Sequence, residues 1–243
     1  IRPHISGHFR DMLRAAATHP AMLLYLDQNA SIGPDSPAGQ DRGKGLNENL
    51  ARELLELHTL GVGAGYSQTD VRELAELLTG LSFTPKRGFV FRPNRAQPGP
   101  ETVLGEIYEA LDDIAAPPAT AAHIARKLAV HFVSDDPAPD LVARMAEAYR
   151  ASDGHLPRVA SLASPAAGAQ EAQRTKARQP WDFVIASLRG LAVSPDAVQE
   201  LTNRQTRRWL LRPMARMGQS YQRPPGPDGW PEEAEAWITP TGL

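Results

Sequence analysis

The chain has 243 residues, 42% of them hydrophobic and 22% charged, with a formal net charge of −2. That is the composition of a globular protein, long enough for one large domain or two small ones. It has no cysteine, which excludes disulfides, zinc–thiolate centres and cysteine nucleophiles. No block of like charge points to nucleic acid or to acidic lipid, and no apolar run approaches the ~20 residues that span a membrane.

Phe9, Met12, Leu13 and Ala16 recur at spacings of three and four and predict an amphipathic first helix. Pro20 opens a second, apolar nearly all round through Leu26. Residues 27–45 are rich in Gly, Pro, Asp and Ser and predict a long loop, of the kind that is either functional or mobile. A helix follows over 46–60, striped by Leu46, Leu50, Leu54 and Leu57, with Asn47 as its N-cap and Gly61 and Gly63 ending it. Ser67 or Thr69 caps the next, whose apolar face is Val71, Leu74, Ala75, Leu77 and Leu78, and Gly80 stops it.

Residues 82–104 change character: Phe83, Phe89, Val90 and Phe91 flank the turn Lys86-Arg87-Gly88 and predict a β-hairpin, followed by a proline-rich loop. Helices are then expected over 106–115, 118–132, 137–151 (capped by Asp135 or Asp136) and 156–162. Residues 164–179 read as a loop or frayed helix, and helices resume over 181–193 and 195–217. In the last of these, Arg204, Arg207, Arg208, Arg212 and Arg216 alternate with apolar residues; they read as a solvated face, with an anionic partner surface as the alternative. From Gly218 the chain is proline-rich yet carries Tyr221, Trp230 and Trp237. The expected fold is therefore mostly α: a multi-helix orthogonal bundle over 1–217 with one small β-hairpin inserted near 82–104. A proline-rich arm, 218–243, packs on it. The chain starts at Ile1 and enters helical sequence at once, so an upstream segment that could carry a targeting signal is expected.

The densest polar constellation lies in the helix over 46–60. Glu48, Arg52, Glu56 and Thr59 share one face at i, i+4 spacing, with Asn49 and Glu53 beside them. One reading is the ion-pair ladder of an exposed helix. If the preceding loop, with Asp27, Asn29, Ser31, Asp35 and Ser36, folds back over the helix, a second reading opens. Carboxylates, amides and Arg52 would then converge in a cleft, with perturbed pKa values. A third reading makes the same groups architecture, fixing the loop to its helix. The candidate set is thus Asp27, Asn29, Ser31, Asn47, Glu48, Asn49, Arg52, Glu53, Glu56 and His58.

A metal centre is not expected. Glu53 and Glu56 could face one ion, but His58 is about 200° round the helix from Glu56, and no zincin pattern occurs. His58 reads instead as a packed histidine near the helix end, favoured there by the dipole. Gly61-Val62-Gly63-Ala64-Gly65 lacks the Gly-Lys-Ser/Thr of a phosphate loop, and there is no Gly-x-Ser-x-Gly elbow. No cofactor is expected.

Several segments resemble the bacterial DUF1800 family, a domain of unknown function. They are Met22-Leu23-Leu24-Tyr25-Leu26-Asp27 with Asn29-Ala30-Ser31-Ile32-Gly33-Pro34; the long run from Gly45-Leu46-Asn47-Glu48-Asn49 through His58-Thr59-Leu60-Gly61-Val62; Gly65-Tyr66-Ser67-Gln68-Thr69-Asp70-Val71; Ala119 to Leu128; and Arg223-Pro224-Pro225 with Gly229-Trp230-Pro231. Pro117-Pro118 stands where the family pattern has His-Pro. The resemblance implies a helical protein, often exported, commonly encoded beside a sulfatase-like family, and with no catalytic residue to transfer. It implies a periplasmic or secreted binding or accessory protein of the bacterial envelope, acting with a sulfatase-like partner. The alternative is a hydrolase whose carboxylate and amide site lies between the 27–45 loop and the 46–60 helix.

Overall fold

Helical spacing of apolar residues converts directly into elements at the start of the chain. Helix α1, Phe9–Ala17, turns Phe9, Leu13 and Ala17 inward. Helix α2, Pro20–Tyr25, is entered through His19, whose ring nitrogen accepts the Ala21 N–H. The structure, a computed structural model, describes residues 1–42, 45–108, 115–164, 176–226 and 228–238. It divides into two compact units, residues 1–128 with 138–169, and residues 129–137 with 170–243. The described residues are mostly helical, as composition and periodicity predict.

In the first unit the segment after α2 is not the structureless loop its composition predicts. It holds a 3₁₀ turn, Gln28–Ala30, and a short helix α3, Pro37–Arg42. Ser36 starts α3 by donating to the Gly33 carbonyl at 2.7 Å and accepting the Gly39 N–H at 3.1 Å. Gly39 is required: a Cβ there would stand 2.6 Å from the Pro34 carbonyl oxygen. Turn-forming residues can build such capped single turns as readily as open loop.

The next helix begins as α4, Asn49–Glu53, and widens into a π turn over Leu54–Thr59. A π turn closes i→i+5 bonds and so shifts the phase of the residues after it. The expected stripe placed Leu57 in the core; the structure instead buries Leu50, Leu54, Leu55 and Leu60. Helix α5, Gln68–Leu77, starts at a capping box in which Ser67 and Asp70 satisfy each other's backbone N–H groups. Its buried face is Val71, Leu74 and Ala75, continuing to Leu78.

The predicted hairpin is present: β1, Leu81–Thr84, pairs antiparallel with β2, Gly88–Phe91. A second one follows where proline-rich loop and then helix were expected. Strand β3, Glu101–Val103, pairs with β4, Glu106–Tyr108. Leu104 and Gly105 both have positive φ, 56° and 78°, which is the two-residue turn whose twist suits a hairpin. The Leu104 N–H donates to the Asp70 carboxylate at 2.6 Å, so one side chain caps α5 and fixes this turn. The expected helix over 106–115 therefore starts as a strand, and 109–114 lie outside the described residues.

Helix α6, Pro118–Phe132, runs from the first unit into the second. Helix α7, Pro139–Ala151, has Ala138 at its N-cap with no side-chain cap, so neither Asp135 nor Asp136 plays the role expected of it. Helix α8, Leu156–Ser161, follows. The Gly154 carbonyl accepts the Phe9 N–H at 2.8 Å and Gly7 accepts the Leu156 N–H at 2.9 Å, joining the start of the chain to the α7–α8 link. Buried Tyr149 donates to the Ala115 carbonyl at 2.9 Å.

The second unit contains α9, Pro180–Gly190; α10, Pro195–Gln199; and α11, Asn203–Thr206. A π turn, Arg207–Leu211, leads from α11 into α12, Arg212–Arg216. The single helix expected over 195–217 is interrupted because Thr202 and Gln205 form a new capping box. In this unit Asp135 accepts from Lys176 at 2.7 Å and from the Ala234 N–H at 2.6 Å, and Glu232 pairs with both Lys176 and His131. Within the segment from Gly218, Trp237 is buried beside Trp230, its indole donating to the Pro231 carbonyl, while Tyr221 is exposed. Among the described residues no helix is long and apolar enough to cross a membrane.

Candidate functional site

The candidate residues sort into three groups. The first is built on Asn47. Its amide nitrogen donates to the carbonyls of Leu26 and Asp27, both at 3.0 Å, while its carbonyl oxygen accepts the Asn49 N–H at 2.9 Å. Its backbone N–H donates to Ser31 Oγ at 3.1 Å. Glu48, not Asn47, is the N-cap of α4; Asn47 stands one residue further out, accepts the first helical N–H and ties the helix to the segment that follows α2. The Asp27 backbone sits at φ +53°, a left-handed conformation that Asp tolerates better than most residues, and its side chain is exposed. Asn29 faces the hairpin: its side-chain oxygen accepts from the Ser82 hydroxyl and from the Phe83 N–H at 3.1 Å, and its carbonyl accepts from Arg95 at 2.8 Å. Asp35 is held by Gln97, which donates to its carboxylate at 2.8 Å and accepts its N–H at 3.0 Å.

The second group is the charged ladder. Arg52 lies between Glu48 at 3.3 Å and Glu56 at 3.4 Å, and Gln68 bonds both Arg52 and Glu48. The Arg52 side chain is 42% exposed, so these contacts are made in a solvated setting where each is worth little. Glu56 also hydrogen-bonds Tyr66, whose hydroxyl pKa is raised by burial and then by the Glu56 charge.

The remaining members serve the π turn. A widened turn leaves carbonyls that need donors. His58 Nδ1 lies 2.8 Å from the Glu53 carbonyl and the Thr59 hydroxyl donates to the Leu54 carbonyl at 2.7 Å. His58 is thus a packed residue near a helix end, as expected, and the carbonyl it meets is five residues back. Across from it, His123 is half-buried with Nε2 3.4 Å from the Leu57 carbonyl. Burial holds its pKa below the usual histidine value, and the neighbouring Lys127 and His58 charges act in the same direction.

Sequence reading missed one cluster. Glu101 on β3 is buried and hydrogen-bonded to Glu73 on α5, near buried Glu76, which accepts from Arg72 at 3.0 Å. Burial, the Glu73 hydrogen bond and the surrounding carboxylates push Glu101 up to about 7. A carboxyl–carboxylate bond needs one proton, and this pair keeps it near neutrality. The available signal was alternation: Glu101 and Val103 are inward on β3 while Thr102 is exposed, but only if the segment is recognised as a strand. Among the described residues no group of three or more His, Asp or Glu side chains could hold a metal ion.

The arrangement as a whole binds backbone. Amides and hydroxyls from α4, the 3₁₀ turn and the hairpins turn toward main-chain groups, and the carboxylates meet cations, side-chain amides, backbone N–H groups or each other. No curated protein and no solved structure matches the chain. The model of the family described as "Protein of unknown function (DUF1800)" matches residues 1–243, and the chain belongs to that family.

Proposed function

We propose that this is a binding or accessory protein of the bacterial envelope, acting beside a sulfatase-like partner. The observation that supports a non-catalytic role is the engagement of Asn47. It joins the post-α2 segment to α4 through the Leu26 and Asp27 carbonyls and Ser31. A hydrolytic site at this junction would need the amide and hydroxyl groups to converge with Glu48, Glu53 or Glu56 on a bound molecule. Here Asn29, Ser31 and Asn47 turn to main-chain atoms and Ser82, while Glu48 and Glu56 turn to Arg52, Gln68 and Tyr66. The envelope setting and the partner rest on the family resemblance of the segments around Asp27, Asn47 and Trp230.

Capture of the tagged full-length protein from its native cells, with membrane and soluble fractions kept apart, tests this reading. Recovery of a sulfatase-like protein from the exported fraction is the expected result. Recovery of none would overturn it, and so would confinement of the tagged protein to the cytoplasm.

A further inference from the structure

Four arginines of the second unit lie together around one cavity. Arg204, Arg207, Arg208 and Arg212, with Asn203, line a cavity of about 530 Å³. That volume lies within the range of small-molecule sites, roughly 300–1,000 Å³. Several arginines elsewhere meet acids: Arg10 lies 2.8 Å from Asp153, Arg72 3.0 Å from Glu76, Arg144 3.3 Å from Asp140 and Arg150 2.5 Å from Glu147. Among the described residues the four lining arginines meet no carboxylate.

Local structure brings them together. Arg204, Arg208 and Arg212 follow one another at i, i+4. The π turn adds Arg207, because the Arg212 N–H bonds the Arg207 carbonyl five residues back and sets the two on successive turns. Like charges at this spacing repel by a few tenths of a kcal/mol per pair. The guanidinium group is a planar fork that matches tetrahedral oxyanions through paired hydrogen bonds and is weakly hydrated, so it gives up water readily. A row of such forks around one cavity suits several negative groups held close together.

We propose that the arginine face of 203–212 binds a small polyanion bearing two or more clustered phosphate or sulfate groups. A small ligand is favoured over nucleic acid because the lining arginines span only nine positions, 204–212, while the whole chain carries net charge −2. A duplex or long single strand needs a basic surface that tracks its backbone.

The test is isothermal titration calorimetry on the full-length chain at low ionic strength, with inorganic tripolyphosphate in one arm and sucrose octasulfate in the other. The variants are Arg204→Gln/Arg208→Gln and Arg207→Gln/Arg212→Gln, all at exposed positions. Arg158→Gln, also exposed, is the control. Binding of either anion that weakens at least about tenfold, or 1.4 kcal/mol, in both double variants and is unchanged in the control supports the proposal. The arm that responds tells phosphate from sulfate recognition. The lysine pair Arg207→Lys/Arg212→Lys keeps the charge but loses the fork, and it should bind more weakly than the parent. Three results overturn the proposal: no heat with either anion, equal heats across all variants, or binding of single-stranded RNA alone.

Discussion

Asn47 and Asp27 are twenty positions apart in the chain, yet the Asn47 amide donates to the Asp27 carbonyl at 3.0 Å. The same nitrogen serves Leu26, and the oxygen serves the Asn49 N–H. Asn47→Ala removes all of these side-chain bonds and takes the donor from the part-buried Leu26 carbonyl, while the Asp27 carbonyl keeps the Ala30 N–H. At about 1 kcal/mol net per bond, the loss should be roughly 2–3 kcal/mol. Urea denaturation would show a lower midpoint with an unchanged slope; a loss below about 0.5 kcal/mol would mean the junction is not held as described.

The ladder beside it should behave differently. Glu48→Gln/Glu56→Gln deletes both Arg52 ion pairs, but the side chains are part-exposed and Gln68 still reaches Arg52. Stability should stay within about 0.5 kcal/mol of the parent. A loss comparable to that of Asn47→Ala would show that the charged group, not the amide, secures this region.

Glu101 makes the pH behaviour predictable. Its folded pKa is raised from 4.5 to about 7, first by burial and then by the Glu73 bond and neighbouring acids. Between those values the folded chain holds a proton that the unfolded chain has released, so this group's contribution to stability declines as pH rises from 4.5 toward 7. Above that it remains as a penalty. Glu101→Gln, which can donate to Glu73 without ionising, should raise stability at about pH 8 by on the order of 1 kcal/mol and flatten the profile across the window. Thermal melts of both proteins from about pH 5 to 8 provide the check; parallel profiles would contradict the assignment.

Gly61 lies at φ +94°, and a Cβ there would stand 2.6 Å from His123 Nδ1. Gly61→Ala combines left-handed strain, about 1 kcal/mol, with displacement of the ring. The strain should persist when His123→Ala opens the space, and the steric part should vanish. A double-mutant cycle would then give a coupling of about 0.5 kcal/mol or more, whereas simple additivity would place His123 away from the turn.

Much of this was legible in residue spacing. Ser67 and Asp70 announce the start of α5, and Val71, Leu74 and Leu78 its buried side. The union of the post-α2 segment with the next helix was one of several arrangements the clustered amides and acids allowed, and it is made by Asn47 and Ser31 rather than by the acids. Two things were not legible. The π turn depends on His58 and Thr59 reaching carbonyls five residues back, and leucines at 54, 55 and 57 fit an α or a π phase equally well. The second hairpin turns on Leu104 adopting a positive φ, which an aliphatic residue rarely does and which Asp70, more than thirty positions away, helps to hold. Glu101 followed that hairpin out of view: read as loop, it had no inward face.

The second unit is assembled from two stretches, 129–137 and 170–243, with the α7–α8 region between them in sequence. Asp135 comes from the earlier stretch, and Lys176 and Ala234 from the later one. Cutting the gene before residue 170 would therefore deliver a lysine and a backbone donor without the carboxylate that both require, and removing 138–169 would need a new connection between the stretches. Any attempt to produce this half alone has to carry the short upstream piece with it, either as a fused peptide or by circular permutation.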